Sequence, residues 1–147
     1  MKCSMSLNQI GRVYAGFPGI GKSKWCAEHP DYADSDSSTF DKSDFPRNYI
    51  EHIREVIKTR PILCSTHDVV RNALIEAGIP FTLVYPAPEC REEYIQRYID
   101  RGSPDAFVAM MKKNFDMFVQ QCQAVDSPLV SHMVLGAGEF LTDRMGA

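Results

Sequence analysis

At 147 residues the chain has the length of one typical domain, and its 44% hydrophobic and 24% charged residues are ordinary for a globular protein with a buried core. Sixteen Lys and Arg against nineteen Asp and Glu leave a formal charge of -3, which excludes a generally basic nucleic-acid coat but permits a local basic site. No apolar run approaches the roughly 20 residues of a membrane-spanning helix, and residues 1–9 lack the apolar core of a secretory signal, so a soluble, cytoplasmic chain with no membrane partner is expected. Five scattered cysteines with no Cys-x-x-Cys spacing predict buried or incidental thiols in a reducing cytosol. The four dispersed histidines predict no metal cage built by the protein.

Residues 11–15 read as a short apolar strand, followed by a Gly/Pro-rich turn and a helix over residues 22–28. Residues 32–34 suggest a second short strand, ending in the acidic and hydroxyl-rich run 34–39. Pro46 suits the first turn of a helix, in which Ile50, Ile53, Val56 and Ile57 form one buried face. Pro61 opens the compact apolar run 62–65, a buried strand. Ser65 or Thr66 can cap the next helix, residues 67–77, which Gly78 ends. Residues 81–85 are the clearest strand, stopped by Pro86 and Pro88. Helices over 91–101 and 104–123 follow, and residues 133–135 read as the last strand before Gly136 and Gly138. Trp25 and the apolar positions of the 104–123 helix (Phe107, Met110, Met111, Phe115, Phe118, Val119) are expected in the core.

Short β runs separated by helices predict parallel strands joined by right-handed crossovers. Such a sheet is covered on both faces, which accounts for strands that are continuously apolar. The expected fold is a single α/β domain over residues 1–147, a three-layer α/β/α sandwich.

The strand–turn–helix at the start carries the chemistry. Gly16-Phe17-Pro18-Gly19-Ile20-Gly21-Lys22-Ser23 fits G-x-x-x-x-G-K-[ST] at every required position. Glycines let the backbone wrap phosphate oxygens with its N–H groups pointing inward, and the helix start adds its positive end. Lys22 is expected to reach the β- and γ-phosphates and Ser23 to offer its hydroxyl to Mg²⁺. The run 62–66 ends in hydroxyls, with an acid only at Asp68, so carboxylates are sought at Asp34 and Asp36 at the end of the second strand. Asp34 is assigned to Mg²⁺, through water, and Asp36 to the proton of an attacking hydroxyl. The order of the two stays open, and a solvated acidic turn is the bland alternative.

A cationic cluster follows the 81–85 strand. Arg91, Arg97 and Arg101 lie within residues 89–101, and Arg97 and Arg101, four apart, share a helix face. Guanidinium groups match phosphoryl oxygens bidentately, so residues 88–104 read as an arginine-bearing lid with a hinge or end at 102–104. An exposed helix balanced by Glu92 and Glu93 is the alternative. Arg97 and Arg101 are assigned to the transferring phosphoryl, Arg97 also to the nucleotide, and Arg91 to substrate. Arg71 projects from the same helix face as His67 and is a candidate substrate contact; a surface arginine and a capping histidine are the plainer reading.

The phosphate-loop motif, Asp34-Ser-Asp36 after the next strand and the arginine-rich segment together resemble the small P-loop kinases, among them nucleoside monophosphate, shikimate and gluconate kinase relatives. Ser65-Thr-His67-Asp68-x-x-Arg71, Tyr85-Pro86 and Glu93-Tyr94-Ile-x-Arg97-Tyr98-x-x-Arg101-Gly102 look like a compact group of phage and bacterial P-loop kinase-like proteins. The segment from Gly16 to Trp25 is similar to the phosphate loop of polynucleotide 5′-kinases, in which an Asp after the second strand serves as base. The resemblance implies a five-stranded parallel sheet in the order 2-3-1-4-5, ATP with Mg²⁺, a mobile lid, and a loop at 136–140 near the adenine. The chain has no long nucleotide-monophosphate-binding insertion and no zinc site in the lid.

Three functions follow as expectations. The first is transfer of the γ-phosphoryl group of ATP to a small acceptor, a nucleoside or nucleotide. The second keeps the chemistry but acts on a nucleic-acid end or modified base. The third is a nucleotide-binding regulatory module that transfers nothing. No Asn/Thr-Lys-x-Asp guanine signature is present, which favours ATP as donor. Monomer and homodimer both stay open.

Overall fold

The computed structural model describes residues 13–35 and 41–145. Its strands are β1 (Val13–Gly16), β2 (Ala33–Asp34), β3 (Ile62–Ser65), β4 (Phe81–Pro86) and β5 (Val130–Leu135). The helices between and after them are α1 (Lys22–Glu28), α2 (Arg47–Val56), α3 (Asp68–Glu76), α4 (Arg91–Asp100), α5 (Asp105–Gln123) and α6 (Leu141–Met145). The strands form one all-parallel sheet in the order β2-β3-β1-β4-β5, with the helices around it.

β1 is the middle strand. It pairs with β3 from Val13↔Ile62 to Gly16↔Ser65 and with β4 from Tyr14↔Thr82 to Gly16↔Val84. All four of its residues are buried, as a strand covered on both faces demands. Its C-terminal end therefore opens between the ends of β3 and β4, where ligands of open α/β sheets bind.

Most elements lie within a residue or two of their expected bounds, and three features differ. The expected first strand begins at residues 11–12, outside the described residues. β5 starts at Val130, three residues before the expected 133, because it pairs along the whole of β4 from Phe81↔Val130 to Pro86↔Leu135. It is the sheet edge and largely open to solvent, so its Ser131 and His132 are tolerated and hide the strand from an apolar pattern. The third difference is α6, whose five residues are too few to show a period.

α5 turns Val108, Met111, Phe115, Val119 and Cys122 inward. Met110, expected in the core, lies off that stripe and is 38% exposed. Among the described residues no helix is long and apolar enough to cross a membrane.

Candidate active site

The loop between β1 and α1 is held from outside by its carbonyls. The Tyr98 hydroxyl donates to Pro18 O at 2.8 Å and the Arg97 guanidinium to Gly19 O at 2.7 Å. The Leu141 N–H donates to Ile20 O at 2.9 Å and the Trp25 N–H to Gly21 O at 3.0 Å. Four consecutive carbonyls are thus engaged by α1, α4 and α6. Phe17 and Ile20 drop their side chains into the core, and the Phe17 ring meets Phe115 and Tyr94 edge-on, with centroids at 5.5 and 6.3 Å.

The donors of the same loop are unused. Among the described residues the N–H groups of Gly19, Ile20, Gly21, Lys22 and Ser23 have no hydrogen-bond partner, and the Lys22 amine has neither hydrogen bond nor ion pair. Two glycines make the geometry attainable. Gly19 sits at φ +92°, where a Cβ would also stand 3.0 Å from the Tyr98 ring; at Gly16 a Cβ would meet Ile20 Cδ1 at 2.7 Å.

This loop forms one wall of a cleft of about 760 Å³ at the C-terminal ends of β1, β2 and β3. Lys22, Ser23, Asp34, Ser65, Asp68 and Arg101 all line it. Asp34 ends β2 with an exposed carboxylate. Its neighbour Ser35 is tied down three ways. The Ser35 N–H donates to Leu63 O at 3.0 Å, Ser35 Oγ and His52 Nε2 share a hydrogen bond of 2.8 Å, and the Tyr49 hydroxyl donates to Ser35 O at 2.7 Å. Ser65, paired in register with Gly16, carries a buried hydroxyl without a hydrogen-bond partner. Buried hydroxyls are seldom left without a hydrogen-bond partner.

Two thiols beside the cleft are chemically quiet. Burial pushes the Cys26 thiol up to about 11, with the Asp34 charge adding to it and Lys22 opposing. Burial pushes Cys64 up to about 12, again against Lys22. Neither is a nucleophile near neutral pH. The four described cysteines are free.

The expected site residues divide into groups. Gly16, Pro18, Gly19, Gly21, Lys22, Ser23, Asp34 and Arg101 border the cleft, whereas Phe17 and Ile20 hold the loop from beneath. Asp36 lies outside the described residues. Arg97 does not face the cleft: besides Gly19 O it donates to Glu139 O at 2.9 Å and pairs with Glu93 at 2.6 Å. Its guanidinium lies between the Tyr94 and Phe140 rings, 4.2 and 3.7 Å from their centroids. It clamps α4 and the 136–140 loop onto the loop between β1 and α1, because three acceptors and two rings converge on that side of the helix. Arg91 is also turned away, held by Glu92 and by Lys112 O of α5. Arg71 lines a separate, adjoining pocket.

Ser35, His52, Ser65 and Phe45 are site features that sequence reasoning passed over. His52 lies seventeen residues beyond Ser35 on another element, and no local spacing links the two.

Magnesium would find no ready-made cage, since no three His, Cys, Asp or Glu among the described residues gather to hold a metal. The partnerless Ser65 hydroxyl, with Ser23 and the exposed Asp34 in the same cleft, does suit an ion that keeps most of its water and takes one or two protein oxygens beside phosphate.

No protein-family model matches this chain, and no curated protein matches it. Among solved structures, the crystal structure of an uncharacterized protein from Eubacterium ventriosum is similar at 14% identity and a TM-score of 0.48, over 93% of this chain and 96% of that one.

Proposed function

We propose that the chain is a P-loop phosphotransferase of the small-kinase type that moves the γ-phosphoryl group of ATP to a small acceptor, a nucleoside or nucleotide. The observation that carries this reading is the phosphate loop with every carbonyl from Pro18 to Gly21 engaged behind it and its N–H groups and Lys22 left without protein partners. Five oriented donors and a cation have the chemistry to surround phosphate oxygens.

Lys22 and the loop N–H groups would bind the β- and γ-phosphates, and Arg101 at the rim would meet charge developing on the transferring group. Ser23, Ser65 and Asp34 would hold hydrated Mg²⁺, which when bound neutralises phosphate charge. In the transfer the γ-phosphorus–oxygen bond to ADP breaks, a bond to the acceptor oxygen forms, and the acceptor proton passes to a carboxylate. That base is assigned to Asp36, two residues beyond Asp34. Ser35, pinned by His52 and Tyr49, would keep this stretch of chain at the cleft edge.

The test is ADP release from Mg-ATP by the full chain, screened against pools of nucleosides, nucleotides, small polyols and oligonucleotides. One pool that lifts the rate well above bare ATPase supports the kinase and names its acceptor. An oligonucleotide pool acting alone would move the acceptor to nucleic acid. ATP binding without any acceptor-dependent turnover would sink transfer and leave a regulatory nucleotide-binding module. Asp36→Asn should cost more in turnover than Asp34→Asn; equal rates for Asp36→Asn and the unaltered chain would remove Asp36 as base.

A further inference from the structure

Beside the main cleft lies a second cavity of about 250 Å³ whose wall includes Arg71. Pro18, Thr66, His67, Asp68 and Phe107 line both spaces, so the two adjoin. The floor is Phe17, Met111 and Cys122, all nearly inaccessible, and the rim includes the exposed Met110. Aromatic and sulfur-bearing side chains of this kind accommodate a flat ring or short apolar chain.

Among the described residues, Arg71 is the charged residue found in the buried interior, only 7% exposed. Its Nε–H donates to Thr66 O at 2.9 Å. Among the described residues it has no carboxylate partner, and its terminal nitrogens make no hydrogen bond. Asp68 is the carboxylate that borders the pocket, but it is exposed, lies beyond ion-pair distance of Arg71 and accepts from the Val69 N–H at 2.9 Å. Cys122 does not supply the counter-charge, because burial pushes its thiol up to about 11 even against the pull of Arg71. The stem of Arg71 is buried while its unpartnered terminal nitrogens keep solvent contact; a guanidinium placed so has free donors for an anion entering the pocket.

We propose that this pocket is the acceptor-recognition subsite, taking the apolar ring or short chain of a small acceptor that carries one anionic oxygen group, carboxylate or phosphoryl, matched by Arg71. The proposal rests on the kinase reading for calling the occupant an acceptor. Anchored at Arg71, such a molecule extends past Thr66 and Phe107 into the cleft that holds Lys22 and Asp34. A monophosphate or a small acid fits this arrangement better than a neutral nucleoside.

The test uses the full chain carrying ¹³C-methyl methionine, without ATP, titrated with benzoate, phenyl phosphate and neutral benzyl alcohol. Met110 and Met111 report from the pocket wall, and Met133 and Met145 serve as distant controls. At least one anionic probe should shift the pocket methyls with an apparent affinity about tenfold above that of benzyl alcohol, and the comparison of benzoate with phenyl phosphate separates the two anion sources. Arg71→Gln should erase the preference, and Met110→Trp, at an exposed rim position, should block all three probes. Equal response to the charged and neutral probes, or none by about 20 mM, overturns the proposal, and the ratio in the unaltered chain decides even if Arg71→Gln does not fold. Anion-selective binding in a chain that transfers phosphate to no acceptor overturns the acceptor role. Transfer without anion preference overturns the pocket and spares the kinase reading.

Discussion

The two walls of the cleft are built to different standards. On the side of the Gly16–Ser23 loop, Phe17 and Ile20 are sunk in the core and four carbonyls in a row are capped by side chains and N–H groups from three helices. On the facing side β2 is two residues long, Asp34 and Lys42 are exposed, and the chain hangs chiefly on Ser35 through His52, Tyr49 and Leu63. The difference teaches where rigidity is needed. Under the proposed transfer, donors aimed at phosphate would have to stay in place, whereas a carboxylate taking up a proton could sit on a shorter tether.

The largest expected contrast is in stability. Phe17→Ala removes a ring packed on Phe115 and Tyr94 and should cost about 3–5 kcal/mol by chemical denaturation. Phe45→Ala on the other wall, where the ring is only half buried, should cost about 1 kcal/mol. Similar costs would erase the contrast. Lys22→Ala should leave the fold intact and lower acceptor-dependent turnover by roughly 100-fold or more, measured as ADP release. Gly19→Ala should cost about 1–2 kcal/mol from the left-handed backbone alone and weaken ATP binding, because a Cβ there presses on Tyr98 at 3.0 Å.

Ser35→Ala should cost about 1 kcal/mol or less but reduce turnover more than ATP affinity. A fall in ATP affinity alone would mean that Ser35 serves the phosphate wall instead. The smallest effect is alkaline. Cys64 is held protonated when folded, at about 12 against an ordinary 9.0, so it favours the folded state fully below pH 9 and loses that contribution as pH rises through 9 to 12. Cys64→Ala should flatten the decline of melting temperature over that window.

The turn between β1 and α1 was legible in the sequence because it is local: eight consecutive residues, Gly16 to Ser23, supply it. The strands were legible for a related reason, since burial on both faces writes itself as an unbroken apolar run, as in Ile62–Ser65. The arginines were not. Arg91, Arg97 and Arg101 share one short segment and one charge, yet one ties α4 to α5, one clamps the Gly16–Ser23 loop and one faces the cleft. Helical spacing distinguishes faces but does not say which neighbour each face meets.

The sequence by itself determined the phosphate-loop motif and the alternation of strand and helix, because each depends on residues close together in the chain. Only the tertiary structure decided that Ser35 rests on His52, that Arg97 is spent on Gly19 and Glu139, and that Arg71 is buried beside an apolar pocket. Those contacts join residues from 5 to 78 positions apart, and what a long polar side chain does is set by which acceptor the fold brings within about 3 Å.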